Sequence, residues 1–252
     1  MTSKIYPGET LPLQKDVNIT LGPGAYKNPI TQEIIPVSAG LLHCKTNKKQ
    51  TNQLVYVETK SKRYIPKLND FVVGVVNGTL GESYKVSLQE GSNNVLLSFM
   101  GFPNATKKNR PNLKNGQAVY ARVSQDVSEI DIEIECIDPT TGKEGGFGVL
   151  DESGFIFEVS LNFANELLFN SSSIYFEKLS EKCKFEIAIG LNGKIWIKCG
   201  EGMKYDDNNE LLPSSLNDMK YTVAAANYLK NCQFISKSQI DQSLKDSFKH
   251  LS

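Results

Sequence analysis

The 252-residue chain lacks the residue patterns that build metal centres and membrane spans. It has two histidines, His43 and His250, and neither has a metal-ligating neighbour three or four residues along, which argues against zinc. Five cysteines (Cys44, Cys136, Cys183, Cys199, Cys232) stand far apart with no C-x-x-C pair. An odd number at such spacings reads as free thiols, most of them buried, and not as a disulfide framework. No apolar run approaches the roughly 18 residues that cross a bilayer. Residues 1–8, MTSKIYPG, lack the charged-then-apolar pattern of a secretory signal, so an intracellular protein is expected. Nor is there an excess of charge: 28 Lys plus Arg balance 28 Asp plus Glu. With 40% hydrophobic and 22% charged residues, the composition excludes a disordered tail, a collagen and a coiled-coil rod.

What is present falls into three parts, a β-rich α+β multidomain arrangement. Residues 1–62 are dense in turn signals, Tyr6-Pro7-Gly8, Leu21-Gly22-Pro23-Gly24 and Asn28-Pro29, with strands expected at Ile34–Val37, Gly40–Cys44 and Gln53–Glu58. Helical periodicity is absent, which gives a small β domain that needs a neighbour.

Residues 63–148 show five β segments: Phe71–Asn77, Ser83–Leu88, Val95–Ser98, Ala118–Val123 and Glu129–Ile137. In the last, alternation places Ile130, Ile132 and Ile134 inward and Asp131, Glu133 and Glu135 outward. Five short strands in this length fit a Greek-key barrel of the OB type, with a sandwich fragment as the alternative.

Residues 149–252 change character. A strand at Phe155–Val159 precedes helices at Leu161–Phe169 and Ile174–Glu181. Strands Lys184–Ile189 and Lys194–Cys199 follow, joined across Gly190-Leu191-Asn192-Gly193. A polar loop is expected over 200–213, with helices resuming at Ser215 and Ser238, each opening a Ser-x-x-Asp run. The order β-α-α-β-β-α is that of a type I KH module. The glycines at 142–148 lack the strand-to-helix setting of a phosphate loop and read as a turn between the second and third parts.

Neutrality conceals a segregation of charge. From Gly91 to Gln125 there is no acid and there are five bases, Lys107, Lys108, Arg110, Lys114 and Arg122; from Asp126 to Asp138 there are six acids and no base. Three bases crowd into residues 106–111, between the third and fourth expected barrel strands. Such a loop suits phosphates, because ammonium and guanidinium groups displace condensed counterions; a merely solvated loop is the bland alternative. Tyr84, in the second barrel strand, is a candidate stacking group for a base, or else half-buried packing.

Several stretches occur together in one order: YPGE at 6–9, LGPGAY at 21–26, SKRYIP at 61–66, SYKVSL at 83–88, FPNATKKNRP at 102–111 and IAIGLNGKIW at 187–196. On these the chain resembles, over nearly its full length, cap subunits of the eukaryotic RNA exosome of the ribosomal RNA-processing protein 40 type, fungal members above all. The resemblance implies an N-terminal β domain, an S1 RNA-binding domain of OB fold and a KH domain, with no catalysis and no cofactor. It implies as partners single-stranded RNA, an RNase PH-like ring, the other cap subunits and an exoribonuclease of the same particle. It implies a place in nucleus, nucleolus and cytoplasm. It also implies that Lys107, Lys108 and Arg110 face the pore, and that Ser87 and Asn112 add polar contacts.

Two departures qualify the likeness. An RNA-gripping KH module carries Gly-x-x-Gly between its first helices, whereas residues 169–173 contain no glycine. The module's Gly-x-x-Gly is Gly190–Gly193, at a strand-to-strand turn, where backbone geometry or close packing explains it better than phosphate contact; the KH module is expected to be mainly scaffold. Asn69-Asp70 stands where many S1 domains have Gly-Asp, and Asn tolerates the backbone angles required. The rival functions are a free-standing ribonuclease or other phosphate-handling enzyme, built on Asp131, Glu133 and Glu135, and a structural adaptor without RNA contact.

Overall fold

Short segments bounded by glycine, proline and asparagine become strands through the first 160 residues, and among the described residues helices enter only beyond them. The computed structural model describes residues 2–11, 18–46, 52–106, 108–127, 130–170, 173–200 and 216–249. It divides into two units, 1–61 and 62–252.

The first unit contains β1 (Thr2–Ile5), β2 (Asn18–Leu21), β3 (Ala25–Lys27), β4 (Ile34–Pro36), β5 (Gly40–Thr46) and β6 (Asn52–Glu58). A four-stranded sheet runs β1-β5-β6-β2, and β3 pairs with β4. Ile5, Leu42, Val55 and Val57 make its core. The expected strands near 34, 40 and 53 are present. The other three strands are three or four residues long, too short to show alternation.

In the second unit, β7 (Phe71–Leu80), β8 (Ser83–Ser87), β9 (Val95–Ser98), β10 (Ala118–Gln125) and β11 (Glu133–Glu135) form a barrel. It closes because β11 pairs with β9 in parallel and with β10 antiparallel, while β10 returns to β7. Closure removes the sandwich alternative and leaves no free edge among these strands. A two-residue strand, β12 (Gly148–Val149), adds to β10. Val72, Val86, Leu97, Val119, Val123 and Ile134 fill the interior. The expected alternation holds only in part. Ile134 is 2% exposed, but Ile130 is 59% exposed, because pairing with β10 begins at Glu133 and residues before it turn instead. Glu129 lies outside the described residues. Asn69 takes a left-handed φ of +69°, as the Asn-Asp substitution anticipated.

The last part runs β13 (Phe155–Glu158), α1 (Leu161–Phe169), α2 (Ile174–Ser180), β14 (Phe185–Ile189), β15 (Lys194–Cys199), α3 (Leu216–Cys232) and α4 (Ile240–Phe248). The antiparallel order β13-β15-β14 gives the KH sheet. Ser160 caps α1 by accepting the Phe163 N–H. The polar loop expected over 200–213 and Ser215 lie almost wholly outside the described residues. Ser238 does not open the last helix. Ser236 does, through a 3-10 turn at Lys237–Gln239, because Ser236 and Gln239 form the reciprocal capping box that Ser238 and Asp241 lack.

Strand β15 is buried at every position. Ile195, Ile197 and Cys199 face the helices and join Leu167, Leu179 and Leu229. On the opposite face Trp196 packs with Val73 of the barrel and with Ala188. Lys198 on this face is 6% exposed, and its ammonium meets Asp151 at 2.5 Å. The turn Gly190–Gly193 seals the junction. Asn192, 3% exposed, accepts the Val73 N–H at 3.2 Å and donates to the carbonyls of Val73 (2.8 Å) and Leu88 (2.6 Å). The Leu191 N–H donates to Phe71 O at 2.7 Å. A Cβ at Gly190 would stand 2.1 Å from Asn192 Oδ1 and 2.6 Å from Val73 N, and Gly193 has φ +82°. Both glycines therefore serve close approach and a tight turn.

Asn192→Ala leaves three buried backbone groups without partners and should cost on the order of 3 kcal/mol in urea denaturation. Asn192→Asp should cost more, since a carboxylate oxygen then faces two carbonyls. RNA affinity of the folded protein should be unchanged.

Burial pushes the Asp151 carboxyl up, but the Lys198 ammonium and the Ser153 amide and hydroxyl hold it below its ordinary value. The stability it contributes is present above the unfolded value of about 4 and is lost as pH falls through the depressed folded value. The unfolding free-energy gap between wild type and Asp151→Asn should be constant near neutrality and narrow below about pH 4.

Candidate nucleic-acid interface

The connection from β9 to β10 carries the basic cluster, and its shape is set by apolar anchors. Phe99, Phe102 and Leu113 point into the barrel core. Between them Thr106 and Asn109 exchange backbone hydrogen bonds of 2.9 and 3.1 Å, closing a small turn, and Thr106 Oγ1 also accepts the Asn109 N–H. Lys108, Arg110 and Lys114 are exposed; Lys107 lies outside the described residues.

Tyr84 does not present its ring for stacking. It is 4% exposed because residues of β8 alternate, and Tyr84 and Val86 take the inward positions. Its hydroxyl donates to Pro111 O at 2.5 Å and accepts the Leu113 N–H at 3.1 Å. The phenol thus clamps the loop on both sides of Asn112, whose side chain is left exposed. Tyr84 also meets Phe99 edge-on, with centroids 4.6 Å apart, and the guanidinium carbon of Arg110 lies 4.6 Å from the Phe99 centroid. Ser87 ends β8 at a half-buried, outward position, paired with Val75 of β7.

Sequence reasoning grouped Tyr84 with the RNA-binding candidates as a stacking group, with packing as the alternative, and the structure gives packing. Sequence reasoning missed Phe99, whose link to Arg110, 11 positions on, depends on a loop that no local pattern encodes.

The fifth base of the acid-free window is used differently. Arg122 of β10 donates to Asn69 Oδ1 and to Glu135 Oε1 of β11, and its Nε is buried with no partner among the described residues. Glu135 is therefore tied to the ladder opposite Arg122 and is not part of a free acidic face. Asp131 and Glu133 are exposed. With one of the three engaged, these acids do not converge on a common point, and among the described residues no group of three or more His, Cys, Asp or Glu is placed to hold a metal ion. At the KH end, Ser173 precedes α2 at the N-cap position, 2% exposed, but its hydroxyl makes no capping hydrogen bond among the described residues, and residues 171 and 172 of the α1–α2 connection lie outside the described residues. The Gly-x-x-Gly turn faces the barrel, as described above.

Comparison with known proteins gives three family matches in chain order. Residues 19–63 match the Exosome complex exonuclease Rrp40 N-terminal domain, 64–148 the S1 domain of Exosome complex component RRP40, and 154–203 a KH domain. The chain is 53% identical over 201 residues to Exosome complex component RRP40 of Saccharomyces cerevisiae, covering 80% of this chain and 83% of the relative. It is 34% identical to the Schizosaccharomyces pombe protein of that name, over 100% and 97% of the two chains. The Homo sapiens protein is 29% identical, over 90% and 74%. A solved structure described as a candidate exosome complex RNA-binding protein superposes with a TM-score of 0.51 at 18% identity, over 75% of this chain and 99% of that one, a likeness of fold.

Tyr84→Phe keeps the ring and removes the clamp. The variant should lose about 1–2 kcal/mol, since the Leu113 N–H and Pro111 carbonyl lose their partner, and hydrogen exchange at the Leu113 amide should accelerate while β7 and β10 amides stay protected.

Proposed function

Since the chain belongs to the Rrp40 family of exosome complex components, we propose that it is a non-catalytic RNA-binding cap subunit, guiding single-stranded RNA toward an exoribonuclease in the same particle. Its protein partners in this reading are an RNase PH-like ring and the other cap subunits, and it works in nucleus, nucleolus and cytoplasm, in RNA processing and turnover.

The observation that carries the reading is the β9–β10 loop. Exposed bases stand on a closed, buried frame, in a stretch from Gly91 to Gln125 that contains no acid. Lys108 and Arg110 contact phosphates, with Lys107 beside them in sequence, and Asn112 and Ser87 offer neutral hydrogen bonds. Backbone phosphate contacts carry no sequence information, so the grip suits a passage that many RNAs must traverse. The KH module contributes rigidity: its Gly-x-x-Gly is spent on the barrel junction. Of the acids the enzymatic alternative would use, Glu135 is tied to Arg122, and no group of three or more His, Cys, Asp or Glu among the described residues is placed to hold a metal ion.

The test is the triple substitution of Lys107, Lys108 and Arg110 by Ala in the reconstituted assembly. RNA affinity should fall, and the slope of log affinity against log salt should shrink by about 0.7 for each lost contact, about 2 in all. An unchanged slope would reduce the loop to a solvated surface. Isolated chain incubated with labelled RNA, Mg²⁺ and phosphate should leave the RNA intact; shortening would restore the ribonuclease alternative.

A further inference from the structure

Arg110 differs from an ordinary surface cation in having a built seat. Its guanidinium rests over Phe99, Phe99 is braced edge-on by Tyr84, and the Tyr84 hydroxyl holds the carbonyl of Pro111, the next residue in the chain. Phe99 is 8% exposed and Tyr84 4%, so the two rings are fixed parts of the barrel, while the Arg110 side chain above them is open to solvent.

A phosphate contact alone asks only for a positive charge, which a flexible lysine supplies. An aromatic seat does something more: it limits the rotamers of a long side chain before any ligand arrives, and it orients a planar, weakly hydrated cation with one face covered. The face left open is suited to a second flat group. We infer that Arg110 stacks a nucleobase on its outer face, so that the loop takes an unstacked base of single-stranded RNA as well as its phosphates. Phe99, Arg110 and the base then lie one over another, while Tyr84 braces Phe99 at its edge and is not part of the contact surface. Arginine planes serve RNA-binding proteins in this way, and stacking is tolerant of sequence because every base has a π-face. This inference rests on the RNA-binding reading above and adds the part of the nucleotide that is gripped.

Full-length chain is titrated, by fluorescence anisotropy, with labelled oligouridylate and with an abasic ribose-phosphate strand of equal length. Wild type, Arg110→Lys and Arg110→Ala are compared at several salt concentrations, with thermal midpoints as the check on folding. Wild type should bind the base-bearing strand more tightly. Arg110→Lys keeps the charge and loses the plane. It should weaken oligouridylate binding about five- to tenfold, leave abasic binding and both salt slopes unchanged, and so close the gap between strands. Arg110→Ala should weaken both strands and lower the slope. If Arg110→Lys binds both strands as wild type does while Arg110→Ala weakens them, the contact is to phosphate alone: the stacking inference falls and the proposed function stands. If wild type binds neither strand, the proposed function falls and takes this inference with it.

Discussion

Val73 lies where the β8 partner of β7 has run out. Strand β8 ends at Ser87, opposite Val75, and the backbone N–H and C=O of Val73 would be left unpaired inside the molecule. The side-chain amide of Asn192 takes the place of the missing strand residue, accepting from one group and donating to the other, and its second N–H takes up Leu88 O. An amide is the side chain that can do this, because it alone copies the donor and acceptor of a peptide. Buried backbone groups without partners cost about 1–3 kcal/mol each, so the barrel's first strand and the KH turn depend on one another. The double burial of β15 follows from this docking. With helices on one face and barrel on the other, a strand that would otherwise be half-polar becomes buried at all six positions.

Charge is divided between two uses along the same logic. Lys198 and Arg122 are structural: each is largely buried, and each meets a carboxylate across neighbouring elements. Removing one partner of such a pair strands the other in a poorly solvated place. Lys108, Arg110 and Lys114 are exposed on a loop without acids and remain available to an external anion. The net charge of zero arises because acids elsewhere, six of them between Asp126 and Asp138, offset these bases, which is why composition alone gave no hint of a nucleic-acid surface.

Legibility in the sequence followed the range of the interaction. The five barrel strands, the helix at Leu161–Phe169 and the strand at Lys194–Cys199 were readable because alternation, glycine and proline are local signals. The start of the last helix was misplaced by two residues, although Ser236 and Gln239 had the complete capping box in plain view. The inward turn of Tyr84 was not legible. A tyrosine in a strand has the same local pattern whether its face is wet or dry, and only barrel closure decides. Likewise, nothing near Arg122 in the chain says that Asn69 and Glu135 will claim it.

The relation between Tyr84 and the loop shows how a small barrel can hold an exposed basic segment in shape. Loops carry function because they are free to vary, yet a grip on a moving strand needs bases in fixed places. Here the frame is apolar and interior: Phe99, Phe102 and Leu113 fix where the loop leaves and re-enters the core, and one phenolic hydroxyl fixes the backbone between them. None of these groups needs to touch RNA, so the outer residues can keep their charge and their solvent. Ordering the loop before the ligand arrives lowers the entropy lost on binding. A weak, sequence-tolerant contact benefits most from that saving, because it has few specific interactions to offset the loss.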